Sequence, residues 1–180
     1  MRNENIVKYV LRLTLTLLVI TGVVAAALAG VNAITKDAIA ANQAKKTQDA
    51  LAVVMSSTQG LQQLPLNGDA GIVQAVYTAG GNYAVQVAPG GFDGAVTMMV
   101  GIAEGKVTGI SVISHTETPG LGAVAAAQNA KGEAFRGQFV GQSGVLAVGD
   151  QIDAMSGATI TSTAVVTGVN AALSYVANMG

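Results

Sequence analysis

The side chains best suited to chemistry are the hydroxyls of segment 153–163, which reads DAMSGATITST and precedes an apolar helical pattern. Such hydroxyls can accept hydrogen bonds from the N–H groups that lack partners in the first turn of a helix, so the segment could be a helix cap. The same N–H groups and the helix dipole can instead bind a phosphate without a nearby Lys or Arg. Both interpretations concern the same residues, namely Ser156, Gly157, Ala158, Thr159, Thr161 and Ser162.

A second unusual segment, residues 117–122 (ETPGLG), places a carboxylate, a hydroxyl, a rigid turn and an apolar side chain on one short loop. Glu117, Thr118 and Leu121 could contact the edge of a planar ligand, or the loop could be a turn with a helix cap. The glycines of segment 120–125 also match the G-x-G-x-x-A spacing of dinucleotide-binding loops. We exclude that function, because five residues separate the glycines from the preceding predicted strand and no βαβ pattern follows.

The composition excludes several other classes of site. The chain has no Cys, so thiol catalysis, disulfides, iron–sulfur clusters and Cys-ligated zinc are ruled out. Around the one histidine, His115, no spacing of carboxylates or serines predicts a zinc site or a catalytic triad. We therefore expect no metal site. The net charge of −1 offers no basic surface for a polyanion, so we also expect no nucleic-acid partner.

Along the chain, the first predicted element is a membrane anchor. Residues 13–35 carry no charged side chain and are long enough to cross about 30 Å of hydrocarbon as a helix. Positive charges precede this stretch, which favours a cytoplasmic N-terminus (1–12) and an extracytoplasmic remainder. A cleaved signal peptide is the alternative, but its apolar core is only about 7–15 residues long. Residues 36–60, rich in helix formers, predict a helical stalk that continues toward about Met55.

The remaining residues, 61–180, show alternating and β-branched runs followed by helical patterns. Strands are predicted at 72–77, 83–87, 95–103 and 106–114, and the short Gly-containing turns between them are typical of antiparallel hairpins. Helices are predicted at 123–129 and 164–178, and a brief strand at 145–148. The predicted fold class is therefore α+β: an antiparallel sheet with packed helices, behind one N-terminal transmembrane helix.

Segment 153–159 (D-x-x-S-G-A-T) resembles the flavinylation motif of FMN-binding domains, in which a transferase joins FMN through its phosphate to the final threonine, here Thr159. Loop 117–122 and segment 135–139 (FRGQF) extend the likeness. With the basic N-terminus, single span and stalk, nearly the whole chain resembles the G subunits of the Rnf membrane complex. The C subunits of sodium-pumping NADH:quinone reductases share the flavin motif. They are usually longer, and the compact segment between span and sheet in this chain resembles them less well.

The resemblance implies an electron-relay subunit with FMN held covalently by a phosphoester to Thr159. The flavin would carry the electrons while the protein binds and orients it, so we expect no catalytic residue on this chain. The other expected cofactor-binding residues are Ser156, Gly157 and Ala158 around the phosphate, Thr161 and Ser162 near N–H groups that solvate its charge, and Glu117, Thr118 and Leu121 at the flavin ring.

In the family, electrons pass between reduced ferredoxin and NAD through several membrane subunits, coupled to movement of Na⁺ or H⁺. The implied partners are therefore the other membrane subunits of the complex and, for maturation, the flavin transferase. An aromatic content of 4% argues against an enclosed aromatic sandwich and for a partly exposed ring. Two other classes stay in competition: a membrane-anchored module without redox function, and a stand-alone flavin reductase with Glu117, His115 or Arg136 as proton donor.

Overall fold

The computed structural model describes residues 2–66 and 70–179, with side chains from residue 6 onward. The chain divides into two compact units, residues 1–45 and residues 46–180. The first unit is helical and the second contains a sheet and further helices.

The helix α1, Arg2–Val54, begins in the first unit and includes the whole of the predicted span 13–35. Its apolar window has a mean hydropathy of 2.3 and none of it is buried, so the helix is long and apolar enough to cross a membrane. Within it, the Thr16 and Thr21 hydroxyls each donate to the carbonyl four residues earlier, at 2.8 Å. These polar groups are therefore satisfied inside the helix, as a hydrocarbon environment requires.

The second unit is built on a five-stranded antiparallel sheet whose spatial order follows the chain. Its strands are β1 (Gln62–Leu64), β2 (Val73–Ala79), β3 (Asn82–Val87), β4 (Thr97–Ala103) and β5 (Lys106–Ser114). The four predicted strands are confirmed with shifts of one or two residues at their ends, whereas β1 carried no predictive pattern. Short hairpins join β2 to β3 and β4 to β5, where Gly80 and Gly81, and Glu104 and Gly105, adopt the positive φ angles that such turns need. The α+β fold class is confirmed.

The last turns of α1 cover one face of the sheet. Leu51 and Val54 are 3% exposed and pack with residues such as Met99 in a small apolar cluster. Thr108 on β5 donates a hydrogen bond of 2.7 Å to the Val54 carbonyl, which satisfies an acceptor at the helix end. The segment predicted as a stalk therefore contributes residues 46–54 to the folded domain.

Three helical elements cover the opposite face: a short 3-10 helix (Gly122–Ala126), α2 (Ala130–Gly137) and α3 (Thr159–Ala177). The main core lies between them and the sheet and includes Phe139 and Val165, both fully buried. Gly168 lets α3 approach the sheet, since a Cβ there would lie 3.0 Å from Val87 Cγ2.

Three predictions for this face were wrong in detail. The predicted helix 123–129 is a 3-10 turn followed by the separate helix α2, which starts where Asn129 accepts the Gly132 N–H at 3.0 Å. The predicted strand 145–148 is irregular and makes only one bridge, Val148 to Ile152. Helix α3 begins at Thr159 rather than at 164. In each case a tertiary or capping contact overrides weak local propensity.

Candidate functional site

A cavity of about 360 Å³ opens at the N-terminus of α3 and brings together the two segments singled out in the sequence. Its volume lies in the range of small-molecule sites. It is lined by Phe92, Glu117, Thr118, Leu121, Gly122, Gly157, Ala158, Thr159, Ile160 and Thr161. Of the predicted site residues, only Ser156 and Ser162 do not line it.

The end of the cavity formed by α3 is suited to an anion. Thr159 is the first residue of α3 and its side chain is exposed. No side chain caps the helix at Ala158, and the N–H groups of Thr159, Ile160 and Thr161 have no hydrogen-bond partner among the described residues. The interpretation of segment 153–163 as a side-chain cap was therefore wrong. Free N–H groups at a helix N-terminus favour a phosphate electrostatically.

The hydroxyls of Thr161 and Ser162 are used internally. Ser162 is fully buried; its hydroxyl donates to the Ala158 carbonyl at 3.0 Å and accepts from the Met155 N–H at 2.9 Å. The Ser162 N–H also donates to the Ala158 carbonyl, at 2.9 Å, so it is not available to a phosphate, whereas the Thr161 N–H has no partner among the described residues. Thr161 is 1% exposed and its hydroxyl donates to Oε2 of Glu117. These bonds hold the first turn of α3 against the preceding loop.

Glu117 connects three segments around the cavity. Its side chain is 5% exposed, and Oε1 accepts the N–H groups of Phe92 at 2.8 Å and Asp93 at 3.3 Å. Oε2 accepts the hydroxyl of Thr161. A buried carboxylate with several donors fixes the positions of those donors. Glu117 thus joins the loop before β4, its own loop after β5 and the start of α3.

Two glycines allow close packing of the residues around the cavity. Gly157 has φ +72°, and a Cβ there would lie 3.2 Å from Leu121 Cδ2, so this residue, two positions before the helix, packs closely against Leu121. A Cβ at Gly122 would collide with Oε2 of Glu117 and with Oγ1 of Thr161. Both positions therefore require a residue without a side chain.

Several other predicted candidates lie away from this cavity. Ser156 lines a neighbouring groove of about 660 Å³ together with Asp153. Arg136 uses its guanidinium to donate to the carbonyls of Ala125 and Ala127, at 2.8 and 2.9 Å, which is a structural role. His115 does not line the cavity either. Among the described residues, no group of His, Asp and Glu is arranged to hold a metal ion.

Three cavity residues were not predicted from the sequence, namely Phe92, Gly122 and Ile160. Phe92 is the aromatic one. It is 68% exposed, whereas Phe135 and Phe139 are 4% and 0% exposed and pack edge to face, with ring centroids 5.5 Å apart. The available signal was an aromatic residue inside a Gly-Gly-Phe-Asp-Gly turn (90–94), a place where a core residue is not expected.

The fold and the site define a class of protein: a domain with a helix suited to spanning a membrane, an antiparallel sheet and a ligand cavity at a helix N-terminus. The family model "FMN-binding domain" matches residues 91–174, which include every residue lining that cavity. A second model, "RnfG N-terminal region", matches residues 1–54, the range that ends with α1.

Relatives agree with these matches. The chain is 32% identical to the G subunit of the ion-translocating oxidoreductase complex of Methanosarcina acetivorans, over 94% of this chain and 95% of that protein. It is 31% identical to the G subunit of the Na(+)-translocating ferredoxin:NAD(+) oxidoreductase complex of Acetobacterium woodii, over 96% and 94%. The G subunit of the proton-translocating ferredoxin:NAD(+) oxidoreductase complex of Clostridium ljungdahlii is 42% identical over 52% of each chain. The chain belongs to the family of Rnf complex G subunits, which confirms the resemblance.

The residues present fit the phosphate end of FMN. Three N–H groups without a partner among the described residues lie at the start of a helix, next to the small residues Gly157 and Ala158. Such an arrangement can bind an anion without a cation. The same cavity is also lined by the apolar side chains of Phe92 and Leu121. A ligand that combines an anionic group with a flat, largely apolar part matches this set of residues.

Proposed function

We propose that the chain is the electron-transfer subunit of an Rnf-type complex and carries FMN in covalent linkage to Thr159. The observation that supports this proposal most directly is the position of Thr159: an exposed hydroxyl at the helix N-terminus, beside free N–H groups and inside the matched FMN-binding domain. The family membership supports the redox role, because the relatives are subunits of ion-translocating oxidoreductases.

The burial of neighbouring hydroxyls favours Thr159 as the acceptor. Thr161 and Ser162 are 1% and 0% exposed and both are engaged in hydrogen bonds. In the net reaction Thr159 Oγ1 would form a bond to the phosphorus of FMN, a P–OH bond of the phosphate would break, and the hydroxyl would leave with the Thr159 proton as one water. The product keeps one negative charge on the phosphodiester, which the N–H groups of the first turn of α3 can stabilise. Thr163, one turn further along α3, is exposed but does not line the cavity.

Bound FMN supplies one- and two-electron transfer, and the residues of this chain bind and orient it. Gly157 and Ala158 would let the phosphate approach the backbone, and Thr118 and Leu121, which line the same cavity, would contact the ribityl chain and ring. Glu117 keeps its own loop and α3 in register through its hydrogen bonds. Attachment by a covalent bond also prevents loss of the cofactor into the extracytoplasmic space.

The same proposal covers topology and partners. Helix α1 would cross the membrane with its basic N-terminus in the cytoplasm, because positive charges resist translocation, and residues 46–180 would face the other side. Other membrane subunits would exchange electrons with the flavin and couple the transfer between ferredoxin and NAD to Na⁺ or H⁺ movement. A flavin transferase would attach the cofactor.

The test is to co-express the full chain with a flavin transferase and measure in-gel flavin fluorescence after denaturation, together with the intact mass. We expect a fluorescent band and the mass of one FMN less water for the unaltered chain and for Thr163→Ala, and neither for Thr159→Ala. Equal labelling of all three chains would place the attachment elsewhere. An unlabelled chain, with a transferase that modifies another acceptor, would refute the covalent flavoprotein and favour a non-redox membrane-anchored module.

A further inference from the structure

Phe92 has an exposure that its surroundings do not explain. An exposed aromatic residue on a mobile tip is common, but this one lies on a tightly held turn and lines the cavity that Thr159 also lines. The fold gains little from it, since most of its side chain lies outside the core.

Two hydrogen bonds and close packing at Gly91 hold the turn. The Phe92 N–H donates to the buried carboxylate of Glu117 at 2.8 Å, and Gly91 donates to the carbonyl of Gly94 at 2.7 Å. A Cβ at Gly91 would collide with Oε1 of Glu117 and lie 2.9 Å from Val96 Cγ2. The backbone that carries Phe92 is therefore fixed to the same carboxylate that holds the start of α3.

The cavity combines polar and apolar lining. Thr159 and Thr118 supply hydroxyls, while Phe92 and Leu121, 68% and 43% exposed, supply apolar surface. Leu121 also packs over Gly157, next to the proposed attachment site. A planar conjugated ring gains most from contact with an aromatic side chain and an aliphatic side chain.

We propose that Phe92 packs against the isoalloxazine ring of the flavin attached at Thr159 and shields it from solvent, with Leu121 as the second apolar contact. This inference rests on the proposed attachment at Thr159. Glu117 would act as the positioning residue that presents Phe92, and it would not itself touch the ring. Because hydrogen bonds already hold the backbone of the turn, little backbone entropy is lost when the contact forms.

The test uses the full chain loaded with flavin by co-expression with a transferase and purified in detergent. Iodide quenching and fluorescence anisotropy of the attached flavin are compared for the unaltered chain, Phe92→Ala, Phe92→Leu and Val145→Ala. Val145 is the matched control, because it is 86% exposed and lines a different cavity. Intact mass and a Tyr-fluorescence melt confirm attachment and folding in each sample.

We expect Phe92→Ala to shift the equilibrium between the shielded and the exposed flavin ring by roughly fivefold toward the exposed form. This is the change in equilibrium constant expected when one aromatic contact is lost. Iodide quenching should rise and anisotropy fall, Phe92→Leu should be intermediate, and Val145→Ala should match the unaltered chain. Unchanged quenching and anisotropy in a flavin-loaded Phe92→Ala chain would overturn the inference and leave the attachment intact. If Phe92→Ala takes up no flavin, Phe92→Leu supplies the same comparison. Absence of flavin from the unaltered chain would refute the attachment itself.

Discussion

Replacing Glu117 tests whether one buried carboxylate holds the cavity together. In Glu117→Ala the Thr161 hydroxyl, 1% exposed, loses its acceptor, and the N–H groups of Phe92 and Asp93 lose theirs. A fully buried unsatisfied group costs about 1–3 kcal/mol, and each of the two partly accessible N–H bonds is worth about 0.5–1.5 kcal/mol. Part of this loss is offset, because a charge no longer has to be buried.

The expected net loss for Glu117→Ala is therefore about 3 kcal/mol, which corresponds to a fall in Tm of roughly 10 °C for a domain of this size. Glu117→Gln keeps the shape and one acceptor oxygen, so its cost should be nearer to about 1 kcal/mol. The Gln variant also keeps part of the link between Phe92 and Thr161, so flavin attachment should fall less in Glu117→Gln than in Glu117→Ala.

The assay is urea unfolding of the full chain in mild detergent, followed by Tyr fluorescence. Tyr77 and Tyr83 lie in the sheet and report on the domain. A double-mutant cycle of Glu117→Gln with Thr161→Val isolates the bond between the two side chains, and a coupling of about 1–2 kcal/mol is expected for hydrogen-bonded neighbours. A loss below about 1 kcal/mol in Glu117→Ala, or a coupling near zero, would refute the role assigned to this carboxylate.

Two further changes test other parts of the site. Gly122→Ala should destabilise the domain by about 1–3 kcal/mol and lower flavin attachment, because its Cβ would enter the space of a buried carboxylate. Gly137→Ala, with open space around it, should leave both measurements near the unaltered values; equal effects would contradict the steric argument. Arg136→Ala should cost about 2 kcal/mol in urea unfolding, since two hydrogen bonds to the carbonyls of Ala125 and Ala127 are lost, without changing the flavin mass. Loss of flavin from a folded Arg136→Ala chain would instead give Arg136 a part in the site.

The accuracy of the sequence predictions follows the length and strength of each pattern. The strands at 73–79 and 106–114 were predictable because β-branched residues alternate between short Gly-containing turns. Helix α2 was missed because it has only eight residues, two of them glycines, and Phe135 anchors it to the core. The run 145–148 has the composition of a strand, but Leu146 donates its N–H to the Asn170 side chain at 2.9 Å instead of to a neighbouring strand.

The sequence by itself determined the features that depend on local composition. The uncharged stretch 13–35 predicts a helix that can lie in hydrocarbon, the alternating runs predict an antiparallel sheet, and the motif ending at Thr159 identifies the residue proposed to carry the cofactor. None of these inferences needs a contact between distant residues. Each follows from propensity, hydropathy or a family motif within a short window.

Only the tertiary structure decided how the two unusual segments work together. Thr161 and Glu117 are 44 positions apart, and no local pattern indicates that their side chains share a hydrogen bond. The same bond explains why Thr161 is buried while Thr159, two residues earlier, is exposed to the cavity. Phe92 becomes part of the site only because its N–H donates to that carboxylate. Packing of the loops against α3 sets these relations, because a buried charge must find its donors wherever the fold brings them together.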